Sequence, residues 1–199
     1  QGPCAAASLK SFLSPPHHWP PDGVWTFHIQ RGHALLTHHD QTMFIAGGLF
    51  GEVDSLQKYV KHGQAAHAEM MRAEFESARR DRPNNGGTMM WMFNDCWPTS
   101  NWSIIDYYRR PKPSYYAARR ACAPLLPIIM ERGGNVEFFF SNDTLQPCEA
   151  KLRFGLETLA GSPVWAQEAE AKAQGCATVK FHSIPRPARG HAEGAYFFI

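Results

Sequence analysis

Between residues 91 and 108 the chain concentrates groups suited to holding a neutral, polyhydroxylated ligand. The run Trp91-Met92-Phe93-Asn94-Asp95-Cys96-Trp97-Pro98-Thr99-Ser100-Asn101-Trp102-Ser103-Ile104-Ile105-Asp106-Tyr107-Tyr108 carries three Trp, two Asn and two Asp. An indole covers the apolar face of a sugar ring, while Asn and Asp match hydroxyl groups as acceptors and donors. The competing reading is plain packing, because aromatics mostly serve cores. Other reactive types are less organised. Ten His are present, but His17-His18 and His38-His39 are adjacent pairs, whose side chains diverge on a helix or strand. No H-x-x-x-H spacing occurs, and no metal site or cofactor is expected. Glu69 is expected on an outward helix face, and no Ser or Cys stands in a nucleophile motif.

The elements that must position this run can be read from the surrounding pattern. A short helix is expected over 4–14, ending before Pro15-Pro16. The stretch His17 to His28 reads as an aromatic loop, from its prolines and glycine. Residues 54–82 read as a long helix, with Asp54 as its N-cap. Its apolar or small residues recur near the helical period at Leu56, Tyr59, Val60, Gly63, Ala66, Met70, Ala73 and Phe75. Arg79-Arg80-Asp81-Arg82 reads as a solvated helix end whose charge suits the dipole. Thr88–Phe93 is a continuous apolar run and reads as a strand buried on both faces. Helix then strand is one step of a parallel α/β fold, in which residues after the C-terminal end of a strand line the site. Pro113 opens a further helix to Cys122. Beyond Pro124, short strands are expected at Leu125–Glu131, Val136–Phe140, Glu149–Leu159, Val164–Ala173, Ala177–Ser183 and Ala195–Ile199. Turn signals such as Gly133-Gly134 and Gly161-Ser162-Pro163 separate them, the pattern of an antiparallel sandwich.

The motif W-x-F-N-D-x-W-P-x-x-x-W-S-x-x-D-Y over 91–107, followed by Pro111-Lys112 and Tyr115-Tyr116, resembles glycoside hydrolase family 2. It is most similar to the branch of β-mannosidases and exo-β-glucosaminidases. Gln64, Glu69, Arg72, Glu76 and Arg79 look like the helix before the last barrel strand of that branch. Phe12-Leu13, Trp19-Pro20 and Trp25-x-x-His28 resemble the segment after the family's nucleophile. The resemblance implies the C-terminal portion of a (β/α)8 TIM barrel over 1–124, followed by an incomplete immunoglobulin-like β-sandwich over 125–199. It implies a retaining exo-β-glycosidase acting on terminal β-linked mannose or glucosamine, working through two glutamates. Neither glutamate maps onto a residue of this chain, so no catalytic residue is assigned and the chain alone is expected to be inactive. Four substrate-binding residues carry over: Trp91 as the platform under the sugar ring, with Asn94, Asp95 and Trp97 beside it. Trp102 and Asp106 are expected to pack and to cap.

Composition excludes other classes. Twenty basic residues face 18 acidic ones, a net charge of +2, too balanced to suggest nucleic acid or an anionic membrane as partner. No apolar run reaches membrane-span length. Cysteines at 4, 96, 122, 148 and 176 are odd in number and lack C-x-x-C spacing, so free thiols are expected rather than a disulfide framework. Neither compartment nor oligomeric state is legible. Without an initiator Met, and with the apolar ending Ala195-Tyr196-Phe197-Phe198-Ile199, the chain reads as a segment of a larger enzyme. Its expected partners are a glycoside or oligosaccharide substrate and the remaining domains of that enzyme. The alternative is a non-catalytic carbohydrate-binding or interaction module with an aromatic sugar platform.

Overall fold

The computed structural model describes residues 2–29, 38–187 and 194–199. They fall into two compact units, one of residues 1–75 with 88–121, the other of 76–87 with 122–199.

The first unit is helical. Helix α1, Ala6–Phe12, and a 3₁₀ turn, Pro15–His17, lead to α2, Gly23–Ile29. The expected loop over 17–28 is therefore corrected at its second half, which coils into α2. Asp22 starts that helix by accepting hydrogen bonds from the backbone N–H of Val24 (2.9 Å) and Trp25 (3.4 Å), the N-cap role of a short acidic side chain. Trp25 is then driven into the core, 1% exposed, where it packs edge-on against Tyr59 at 5.5 Å. Its indole N–H donates to the His17 carbonyl at 2.6 Å. Cys4, Leu9, Leu13 and Leu56 complete this cluster. Helix α3, His38–Phe50, was not legible in sequence because its apolar residues fall on all sides. Ala46 is fully buried while Phe44 is 81% exposed.

Helix α4, Leu56–Arg80, is the expected long helix, but its cap is Ser55 rather than Asp54. Ser55 Oγ accepts from the N–H of Lys58 at 3.4 Å, while Asp54 pairs with the Lys58 ammonium at 2.6 Å. The buried stripe runs through Leu56, Tyr59, Gly63, Ala66, His67 and Met71. It takes in His67 and Met71 where the sequence pattern pointed to Met70 and Ala73. Helix α5, Pro113–Ala121, begins at its proline as expected.

The run 88–93 departs from the expected buried strand. It forms no strand ladder; Met89 is 94% exposed and Phe93 55%. A strand needs neighbours to take its backbone N–H and C=O groups, and no strand is found among the described residues of this unit. Two isolated bridges follow it, a parallel one from Asn94 to Ile105 and an antiparallel one from Ile105 to Pro111.

The second unit is two three-stranded antiparallel sheets. One has the order β1 (Leu125–Arg132), β2 (Asn135–Asn142), β5 (Ala177–Pro185). The other has the order β4 (Pro163–Ala173), β3 (Cys148–Thr158), β6 (Ala195–Phe198). Gly133 and Gly134 take positive φ, 56° and 77°, the backbone that a two-residue hairpin between β1 and β2 demands. The period of two then points Val136, Phe138 and Phe140 inward. Val136 and Phe138 meet Phe154 of β3, with Trp165, Phe181 and Phe197 around them. The last turn of α4 belongs to this unit. Arg79, read in sequence as solvated, is instead 6% exposed. Its guanidinium donates to the carbonyls of Ala123 (2.6 Å) and Pro124 (3.3 Å) and to Ser141 Oγ (3.3 Å). Asp143 Oδ2 lies 3.4 Å from its Nε as well, and a planar fork of donors suits several acceptors converging on one place.

Candidate functional site

The run 91–112 folds as a loop closed on itself. The N–H of Asp95 donates to the Ile105 carbonyl (3.1 Å), those of Ile104 and Ile105 to Phe93 (3.2 and 3.1 Å), and that of Lys112 to Ile104 (2.9 Å). The Trp91–Met92 peptide is cis. Ile104 anchors the loop in a core with Met71 and Ala118, so the loop is set on α4 and α5.

Against α3 and α4 this loop leaves a hollow of about 460 Å³, within the range of small-molecule sites. Its walls are mainly apolar: Trp91 and Trp102 from the loop, Ile45 from α3, Met71 from α4. Gln41 and His67 bring polar groups to it. Trp91, 75% exposed, offers a broad indole surface. No Asp or Glu lines the hollow among the described residues. His67 is 2% exposed, with Nδ1 lacking a hydrogen-bond partner. Burial pulls its pKa down to about 3, so the ring is neutral.

The four sequence-predicted residues are not brought to one place. Trp91 lines the hollow; Asn94, Asp95 and Trp97 do not. Asn94 is exposed, its Nδ2 donating to the Asp95 carbonyl at 3.3 Å. Trp97 stacks on His28 of α2, centroids 5.2 Å apart and planes 23° off parallel. His28 Nδ1 in turn donates to the Pro98 carbonyl at 2.8 Å.

Asp95 is buried, its side chain wholly so, and its oxygens make no hydrogen bond of ordinary length. Burial raises its pKa, against the pull of Lys112. Lys112 Nζ stands 3.8 Å from Asp95 Oδ2. It donates to the carbonyls of Gly2 and Asn101 (both 2.9 Å) and to Ser103 Oγ (3.0 Å). Asp106 is the expected cap. Its Oδ1 accepts from the Arg110 N–H at 2.9 Å, and Oδ2 accepts from Ser8 Oγ at 2.5 Å.

Sequence reasoning missed Trp102, His67 and Lys112. His67 had a usable signal, since 56, 59, 63 and 67 continue one helical stripe. Trp102 and Lys112 stand within the quoted motif, but what they face depends on how the loop closes. Among the described residues no three His, Cys, Asp or Glu side chains are placed to share a metal ion, and no helix is long and apolar enough to cross a membrane.

No protein-family model matches the chain. A β-mannosidase B of Aspergillus niger is 42% identical over 73 residues, 35% of this chain and 9% of that protein; one from Emericella nidulans matches to the same degree. A solved β-D-mannosidase from Dictyoglomus thermophilum superposes on 99% of the chain with a TM-score of 0.87 at 24% identity. The exo-chitosanase of Amycolatopsis orientalis superposes on 93% with a TM-score of 0.69 at 20% identity. The chain spans 24% and 22% of the lengths of these two proteins. The family resemblance thus holds against curated β-mannosidases in sequence, and against a mannosidase and an exo-chitosanase in fold.

Proposed function

We propose that this chain is part of a larger retaining exo-β-glycosidase that removes terminal β-linked mannose or glucosamine. On this reading, residues 1–124 are the C-terminal part of its catalytic (β/α)8 barrel and 125–199 part of an immunoglobulin-like sandwich. The observation that carries it is the likeness to β-mannosidases over 73 residues. Supporting it, Trp91 and Trp102 both line one hollow of small-molecule size.

Trp91 is then the platform under the terminal sugar ring. Asn94, Asp95 and Trp97 act within the same loop. Asn94 is left open to a hydroxyl group, while Asp95 and Trp97 hold the loop's shape. The reaction needs an acid/base and a nucleophile about 5–5.5 Å apart. Neither glutamate of the family motif maps onto this sequence, so on this reading both belong to segments of the enzyme outside these 199 residues. The exposed run 88–93, which forms no ladder within this chain, would be flanked by such segments.

The test is turnover by the full-length protein of p-nitrophenyl β-mannoside and β-glucosaminide, with the first-formed anomer read by proton NMR. Release of p-nitrophenol with a β-configured sugar is expected. An inverted product, or no turnover of either glycoside, would contradict the reading. Binding of mannose or glucosamine without turnover would favour a non-catalytic carbohydrate-binding module instead.

A further inference from the structure

We infer that Lys112 is the positioning residue of the 91–103 loop, setting both indoles of the hollow in place. Its kinetic consequence rests on the glycosidase reading above; its structural consequence does not. Lys112 is 2% exposed, and an ammonium in such a place costs several kcal/mol unless its protons are matched. All three are: they go to the Gly2 carbonyl, the Asn101 carbonyl and Ser103 Oγ. The last two acceptors flank Trp102 on either side. The countercharge, Asp95, stands in the same loop four residues beyond Trp91. One ammonium therefore grips the loop near both indoles and ties it to the chain at Gly2. Gly2 itself admits no side chain, since a Cβ there would lie 2.2 Å from His67 Nδ1. That contact sets the tie directly against a residue lining the hollow. An apolar side chain would fill the volume of Lys112 but could not direct three acceptors at once.

Two roles are separable. Lys112 could matter only by neutralising Asp95, or by directing the loop. Lys112→Met strands the buried carboxylate; Lys112→Met with Asp95→Asn does not. In the full-length protein the double variant is expected to fold yet keep a KM for p-nitrophenyl β-mannoside about tenfold above that of Asp95→Asn alone. Its kcat should stay within about threefold, since the platform holds the ring rather than the breaking bond. Hydrogen exchange of peptide 91–103, read by mass spectrometry, should quicken as well. A double variant with the KM and exchange of Asp95→Asn alone would overturn the inference, as would a folded Lys112→Met protein with both unchanged. Should neither Lys112 variant fold, Ser103→Ala decides. It removes one acceptor and strands no charge, and parental exchange of peptide 91–103 in it would overturn the inference. If the parent turns over no glycoside, the glycosidase reading fails, and the exchange result alone still decides for or against Lys112.

Discussion

Trp91 and Trp102 reach the same hollow from one loop, although position in the sequence separates them into a platform and a packing residue. The three Trp, two Asn and two Asp of 91–108 point to a sugar site by their types alone. Which of them share a cavity could not be read that way, because that depends on the closure of the loop through Ile104, Ile105 and Lys112. The consequence for activity is graded. In the proposed full-length glycosidase Trp91→Ala should lower kcat/KM about tenfold or more, from lost stacking of one to a few kcal/mol. Trp102→Ala, now a wall residue too, should cost about threefold. Thermal melts beside the kinetics separate lost binding from lost folding, and a well-folded Trp91→Ala enzyme with parental kcat/KM would remove the platform assignment. His67 makes a second prediction. Burial holds its pKa at about 3, against about 6.5 in an unfolded chain. A depressed pKa gives stability that is whole above the unfolded value and is lost as pH falls toward the folded one. The protein should therefore lose stability between about pH 6.5 and pH 3, and His67→Gln should flatten that loss. Guanidinium unfolding midpoints at neutral and mildly acid pH, compared for parent and variant, measure it.

Elements whose residues carry their own pattern were legible; those that depend on partners were not. The six strands of the second unit fall where alternation and turn residues put them. Val136, Phe138 and Phe140 alternate inward, and Gly133-Gly134 has the backbone of its hairpin. The run 88–93 is apolar enough for a strand, yet no neighbouring strand is described beside it, so composition alone misled. Arg79 misled in the other direction. A cluster of arginines at a helix end looks solvated, but the corner between α5 and β1 turns the carbonyls of Ala123 and Pro124 toward it. Arg79→Met keeps the apolar stem and removes the fork. It leaves two carbonyls and Ser141 without that donor, and about 2–4 kcal/mol of stability should be lost. Denaturant unfolding of the protein, monitored by circular dichroism, checks this. A loss below about 0.5 kcal/mol would mean that water replaces the guanidinium without penalty.

At the scale of the molecule, several large apolar side chains stand at the surface of the first unit. Met89, Trp91 and Phe93 stand exposed in a row of alternate residues, and Phe44, Leu49 and Phe50 add to them on α3. Large exposed apolar side chains in such number are what an interface would bury. The proposed enzyme supplies its counterpart in the segments that carry the two catalytic carboxylates. The account thus divides the labour, with sugar platform and loop here and proton transfer and covalent attack elsewhere in the same polypeptide. Its most direct test is a side-by-side assay of the full-length protein and the isolated 199-residue chain on p-nitrophenyl β-mannoside and β-glucosaminide. The account predicts turnover by the full-length protein and none by the isolated chain, because protonation and attack both need groups it does not place on the hollow. Turnover by the isolated chain, or none by the full-length protein, would contradict it.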